Sequence, residues 1–172
     1  TQIDPTTTRV TDIRTAVSDD DSLSTSNNAF SAIAKAAAIN DAYEFTGVRA
    51  IVGKTTVGSV NDAGGIQGGH AATDTIDGGD LNETEFFVLN GMKIAGFTVL
   101  QNDSDNALVD AVNAVVDETG VLASLDGNSN LVLTAEDGRN IELTLSSATV
   151  ASVTGLLSAG TLTDVFGGEV TF

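Results

Sequence analysis

The chain has no cysteine, no tryptophan, a single proline (Pro5), a single histidine (His70) and only 5% aromatic residues. Without cysteine there are no disulfides, no thiol nucleophile and no thiolate metal ligands. The single histidine excludes a paired-imidazole metal site. Positive charge is also scarce: 7 Lys+Arg stand against 24 Asp+Glu, giving a net charge of −17. Such a surface repels phosphate backbones and anionic lipid, so neither nucleic acid nor a membrane surface is an expected partner. No apolar run reaches the length of a membrane span, and no basic-then-apolar leader stands at the start.

What is present supports a folded domain. Of 172 residues, 41% are hydrophobic, mostly Ala, Val, Leu and Ile, and 18 are glycine. A chain of this length buries roughly 70% of its unfolded surface. The most informative feature is an internal repeat. Ala38-Ile39-Asn40, Thr46-Gly47-Val48 and Ala50 recur 73 positions later as Ala111-Val112-Asn113, Thr119-Gly120-Val121 and Ala123. A repeat at fixed spacing identifies a structural unit, here an apolar helix closed by a Thr-Gly turn and followed by a strand.

Two repeats are therefore expected, over 1–79 and 80–172, either as two lobes of one domain or sharing one core. In the first, the alternating run from Arg9 to Val17 reads as a strand, and a helix is predicted over 28–42, capped by Ser26 or Asn27. A strand follows over 48–52, and the glycine-rich stretch 53–80 reads as the loop between repeats. In the second, Asn90-Gly91 joins two strands in a tight hairpin, because both central turn positions need positive φ. Phe86-Phe87-Val88-Leu89 reads as a buried strand. A helix is predicted over 105–117, with Leu108, Ala111, Val112 and Val115 on one face. Two linked hairpins then run through Val121–Leu125, Leu131–Ala135 and Ile141–Leu145, followed by a short helix over 148–157 and a strand near 169–172 that reads as cut from a longer chain. The fold class is α+β: small antiparallel β-sheets, each covered by one amphipathic helix.

These blocks resemble bacterial flagellin, in the variable outer region that carries the motif named for its Ile-Asn pair. The resemblance rests on Ser31–Asn40 with Thr46-Gly47-Val48, on Leu89-Asn90-Gly91 with Ile94, on Ala111-Val112-Asn113 with Thr119–Ala123, and on Leu131–Ile141. It implies a secreted, extracellular structural protein of the bacterial flagellum, polymerised with other flagellin subunits for motility. In that family the terminal helices build the filament core. No long heptad-bearing helix stands at either end here, so the expected part is the solvent-facing outer domain, monomeric in isolation. The filament-cap protein, which shares the second block, is the alternative, and a glycan- or host-adhesion module is another.

No residue set points to catalysis. His70 lacks partners and reads as a surface-loop residue. Asp103-Ser104-Asp105 begins like a calcium loop but lacks its central glycine, as does Asp126-Gly127-Asn128-Ser129-Asn130, while Asp74, Asp77 and Asp80 are spread along a loop. No metal and no cofactor are expected, and no enzyme activity. Exposed hydroxyls at Ser22, Ser24, Thr25 and Thr73 are candidate O-glycan acceptors, a modification common in flagellins. Asn82-Glu83-Thr84 matches the N-glycan pattern, which is frequent by chance.

Overall fold

The computed structural model describes residues 12–58, 75–157 and 160–172. Single 3-10 turns at Ser18–Asp20 and Asn28–Phe30 precede helices α1 (Ala32–Asp41) and α2 (Tyr43–Thr46) and strands β1 (Ile51–Val52) and β2 (Thr55–Val57). After them come β3 (Gly79–Leu81), β4 (Phe87–Leu89), β5 (Met92–Ile94) and β6 (Phe97–Val99). Helices α3 (Ala107–Asn113) and α4 (Val116–Thr119) lead into β7 (Leu122–Leu125), β8 (Leu131–Ala135) and β9 (Ile141–Leu145). The chain ends through α5 (Ala148–Thr154), β10 (Thr163–Phe166) and β11 (Val170–Thr171).

The architecture is α+β, built on small antiparallel sheets. Four strands align as β10-β9-β4-β5, three as β2-β8-β7, and two pairs form β3-β6 and β1-β11. Helix α3 packs on β7 and β6, and α5 on β3 and β9. Alternation on β8 and β9 sends Leu131, Leu133, Ala135, Ile141, Leu143 and Leu145 inward. They meet Phe87 and Leu89 of β4, and Leu108 and Val112 of α3, all fully buried. Each such large side chain contributes roughly 1.5–3 kcal/mol by leaving water. Of residues 12–58 only Val57 joins this core. Helix α1 lies outside it, burying Ala32, Ala34, Ala36 and Ala38 near β1, β11 and the two 3-10 turns. Alanine permits that close approach and makes a stable helix without bulk.

The Asn90-Gly91 hairpin forms as expected, with φ of 45° and 85° and Leu89 opposite Met92. The stretch 53–80, read as the loop between repeats, carries β2 at its start and the first residues of β3 at its end. Four more expectations differ. Residues 12–17 of the run read as a strand make no ladder, leaving Ile13 and Val17 exposed, while Arg14 ties this segment to Asp20 and Asp41; residues 9–11 lie outside the described ones. The first helix starts at Ala32, because Ser31 is extended and its hydroxyl accepts the Ala34 N–H at 3.0 Å, so Ser31 is the cap instead of Ser26 or Asn27. The second starts at Ala107, since Asn102, Asp103 and Asn106 are left-handed and interrupt helical geometry. Asp103 still caps it, accepting from Leu108 and Val109 at 2.9 and 3.0 Å.

The fourth difference concerns topology. β7 and β8 pair as a hairpin, but β8 and β9 do not. The free edge of β8 pairs with β2, and β9 sits between β4 and β10. The chain crosses between sheets at Glu136–Asn140, and strands before residue 58 complete ladders with β8 and β11.

Candidate functional site

Each repeat ends its helix at an asparagine whose carboxamide grips the backbone ten residues on. Asn113 donates from Nδ2 to the Ala123 carbonyl at 3.1 Å and accepts the Ala123 N–H on Oδ1 at 2.8 Å. Asn40 makes the same pair with Ala50, at 3.0 and 2.8 Å. A primary amide has one donor face and one acceptor face at the spacing of a peptide group, so it completes a strand's hydrogen bonding as another strand would. No other side chain of this length offers both.

Between clamp and target the chain must reverse. Thr46 Oγ1 donates to the Ala42 carbonyl and accepts the Val48 N–H, both at 3.1 Å. Thr119 repeats this with Val115 and Val121 at 2.9 and 3.2 Å. Gly47 and Gly120 follow with φ of 70° and 69°, the left-handed turn that closes a helix. A third Thr-Gly cap closes α5: Thr154 Oγ1 donates to Val150 and accepts from Leu156, and Gly155 has φ of 67°. That copy has Ala148 where the clamp asparagine would stand.

The second repeat is further locked. Asn90 Nδ2 donates to the Thr119 carbonyl at 2.8 Å, and its Oδ1 accepts the Glu142 N–H at 2.7 Å. Arg139, ion-paired to Asp137 at 2.7 Å, reaches the same Thr119 carbonyl at 3.3 Å. Burial pushes the Asp137 carboxyl up, yet its bonds to Arg139 outweigh this and hold it below the usual range. In the first repeat, among the described residues, an added Cβ at Gly47 meets nothing within 4 Å, and Tyr43, Phe45, Val48 and Ile51 are exposed. Arg49 lies over the Tyr43 ring at 5.2 Å, and Asn40, Tyr43, Arg49, Ala50 and Ile51 line a concavity of about 390 Å³.

Over residues 87–137 the chain matches the family model described as the flagellin hook IN motif. Those residues span the Asn90 lock, the Asn113 clamp and the Thr119 cap. The chain carries a flagellin IN motif. It is 45% identical over 60 residues to Flagellin A of Helicobacter pylori, covering 34% of this chain and 12% of that one. Flagellin A of Helicobacter felis is 38% identical over 82 residues, covering 47% and 15%. Flagellin B of Helicobacter pylori is 43% identical over 61 residues, covering 35% and 12%. The resemblance to bacterial flagellin is thus shown, and the chain spans 12–15% of the length of these relatives. The Asn40 clamp, outside the matched segment, repeats the geometry of the flagellin motif at the first repeat.

The remaining candidate residues are dispersed. Ser22 and Thr25 are exposed, with Thr25 Oγ1 donating to Glu142 at 2.9 Å. Ser24 is buried: its hydroxyl donates to Asp21 at 2.6 Å and accepts the Asn140 N–H at 2.8 Å. Thr73, His70 and Asp74 lie outside the described residues. The acidic groups are used locally. Asp126 accepts the N–H groups of Asn128 and Asn130 at 2.8 and 2.9 Å, and Asp80 accepts from Thr98 at 2.6 Å. Asn82 Oδ1 closes a turn by accepting from Thr84 and Glu85. Among the described residues no group of three or more His, Asp or Glu gathers to hold a metal ion. No helix there is long and apolar enough to cross a membrane.

Proposed function

We propose that this chain is the surface-exposed outer domain of a bacterial flagellin, with its repeats at 1–79 and 80–172 as parts of one domain joined by the β1-β11 and β2-β8 ladders. In this reading it is a structural part of the motility filament, secreted and extracellular, and catalyses nothing. The observation that carries the reading is the paired clamp. In both repeats the most distinctive polar side chain, Asn40 or Asn113, spends its hydrogen-bonding capacity on its own backbone. Polar groups arranged to hold a loop serve shape; polar groups arranged for turnover converge on open space. The similarity to flagellins supports the same reading.

Its partners would be other flagellin subunits, joined chiefly through helical regions outside this chain. Ser22, Ser24, Thr25 and Thr73 are the proposed O-glycan acceptors. Ser22 and Thr25 are open to a transferase acting on the folded chain, whereas Ser24 would have to give up its bonds to Asp21 and Asn140. Glycopeptide mass spectrometry of native filaments tests the set.

The test of the main reading is immunogold electron microscopy with an antibody raised against the folded chain. Label along the whole filament shaft is expected. Label confined to the tip would favour the filament-cap alternative, and label absent from filaments would overturn both.

A further inference from the structure

The lock on Thr119 depends on Asn90, the one asparagine of the chain that is followed by glycine. In an Asn-Gly pair the backbone nitrogen of the glycine reaches the preceding carboxamide most easily, because no Cβ stands beside it. The clamp residues Asn40 and Asn113 are followed by Asp41 and Ala114, whose side chains crowd that approach. Gly91 is exposed, and a Cβ built there would meet nothing within 4 Å, so its surroundings give no cover. Protection comes instead from how Asn90 is held. Asn90 is only 6% exposed. Its Oδ1 accepts the Glu142 N–H, its Nδ2 donates to the Thr119 carbonyl, and its own N–H donates to the Glu142 carbonyl at 3.0 Å. Turning the carboxamide carbon toward the Gly91 nitrogen breaks both side-chain bonds at once and strips the Glu142 N–H of its partner.

We propose that Asn90 is a modification site gated by folding: shut in the native chain, and hydrolysed spontaneously in a chain held unfolded, after which the lock cannot re-form. In the reaction the Gly91 nitrogen bonds to Asn90 Cγ and gives up its proton, and the side-chain nitrogen leaves as ammonia. Water, the only co-reactant, then opens the cyclic imide at either carbonyl, giving aspartate or isoaspartate. Aspartate presents an acceptor to the Thr119 carbonyl where a donor stood. Isoaspartate lengthens the main chain by a methylene inside a two-residue turn, which displaces Leu89 from its partner Met92. That strand carries Phe87 and Leu89 into the core, so the damage is not confined to the surface. Unfolding thus exposes a one-way chemical step in the second repeat that neither clamp carries. The inference stands apart from the filament reading, because its test uses the free chain alone.

The test follows two samples of the whole chain, one folded in buffer and one in guanidinium chloride, at the same mildly alkaline pH. Peptide mass spectrometry reads the conversion of each asparagine with time. In the denatured sample Asn90 is expected to convert ahead of every other asparagine. In the folded sample its rate is expected to fall at least about thirtyfold, the scale set by opening two buried hydrogen bonds before reaction. Asn90→Asp stands in for the hydrolysed product and is expected to unfold at lower denaturant than the parent chain. Asn128→Asp, at an exposed turn, is the control and should shift that midpoint little. Conversion of Asn90 as fast in the folded sample as in the denatured one would overturn the proposal. So would another asparagine leading in denaturant, or Asn90→Asp as stable as the parent.

Discussion

Asn113 is joined to Ala123 by two hydrogen bonds, 3.1 Å from its amide nitrogen and 2.8 Å to its amide oxygen, and both act on one peptide strand edge. This bond pair couples the end of α3 to the start of β7. It fixes where the helix stops and which way the strand leaves. Asn40 and Ala50 stand in the same relation, yet α1 packs alanines outside the main core.

The first prediction separates these two clamps. Asn113→Ala leaves the buried Ala123 edge without partners and is expected to cost about 2–3 kcal/mol, the penalty for orphaned backbone groups. Asn40 is more exposed than Asn113, so water reaches the vacated side more readily, and although Ala50 is itself buried Asn40→Ala should cost less, about 1–2 kcal/mol. Urea unfolding of both variants measures the difference. Asn113→Asp is expected to be no milder than the alanine variant at neutral pH, because a carboxylate cannot donate to the Ala123 carbonyl.

Gly47 and Gly138 test geometry against space. Both have left-handed φ, 70° and 77°. An added Cβ at Gly47 meets nothing within 4 Å, so alanine there costs only the strained backbone, about 1–2 kcal/mol. At Gly138 the same Cβ would lie 2.6 Å from the Gly53 carbonyl oxygen and 2.3 Å from Val52. That glycine sits where the chain crosses between the β8 and β9 sheets. Gly138→Ala should therefore lower the melting temperature clearly more than Gly47→Ala.

Acid should weaken the first repeat through Asp21. Burial pushes this carboxyl up, but hydrogen bonds from the Ser24 and Ser31 hydroxyls and the Leu23 and Ser24 amides outweigh it, leaving it below the ordinary 3.8. With the folded value depressed, the unfolded chain binds the proton first. The contribution is complete above pH 3.8 and is lost as pH falls through the folded value. Unfolding free energies measured between pH 2 and 6 should fall toward acid, and Asp21→Asn should flatten that slope.

Ser24 joins the two halves of the chain through Asn140. Ser24→Ala orphans the buried Asn140 N–H and removes a bond from Asp21. A loss of about 1–3 kcal/mol is expected, readable by thermal unfolding. Ser22, two residues before Ser24 and exposed, should tolerate alanine within about 0.5 kcal/mol.

Local signals in the sequence found local structure. The Thr-Gly pairs marked both helix ends, Asn90-Gly91 marked its hairpin, and Leu108 and Val112 marked the buried face of α3. What the sequence did not reveal was non-local. β8 and β9 read as a hairpin because alternation and a Gly-containing turn are all that a hairpin requires locally. That Thr55–Val57 would take the edge of β8, and Thr163–Phe166 the edge of β9, depends on pairing over distances no local pattern encodes. The clamp was visible as a repeated asparagine, but its target, the residue ten positions on, became legible only in three dimensions. The lock by Asn90 and Arg139 left no signal beyond residues already assigned to turns.

The central claim, that this chain is an outer domain of a flagellin, is tested most directly by deleting its residues from the gene of a filament-forming cell. If it is an outer domain, cells should still assemble filaments, and electron microscopy should show them thinner, with the core lattice intact. Failure to polymerise, or filaments of unchanged diameter, would contradict the account.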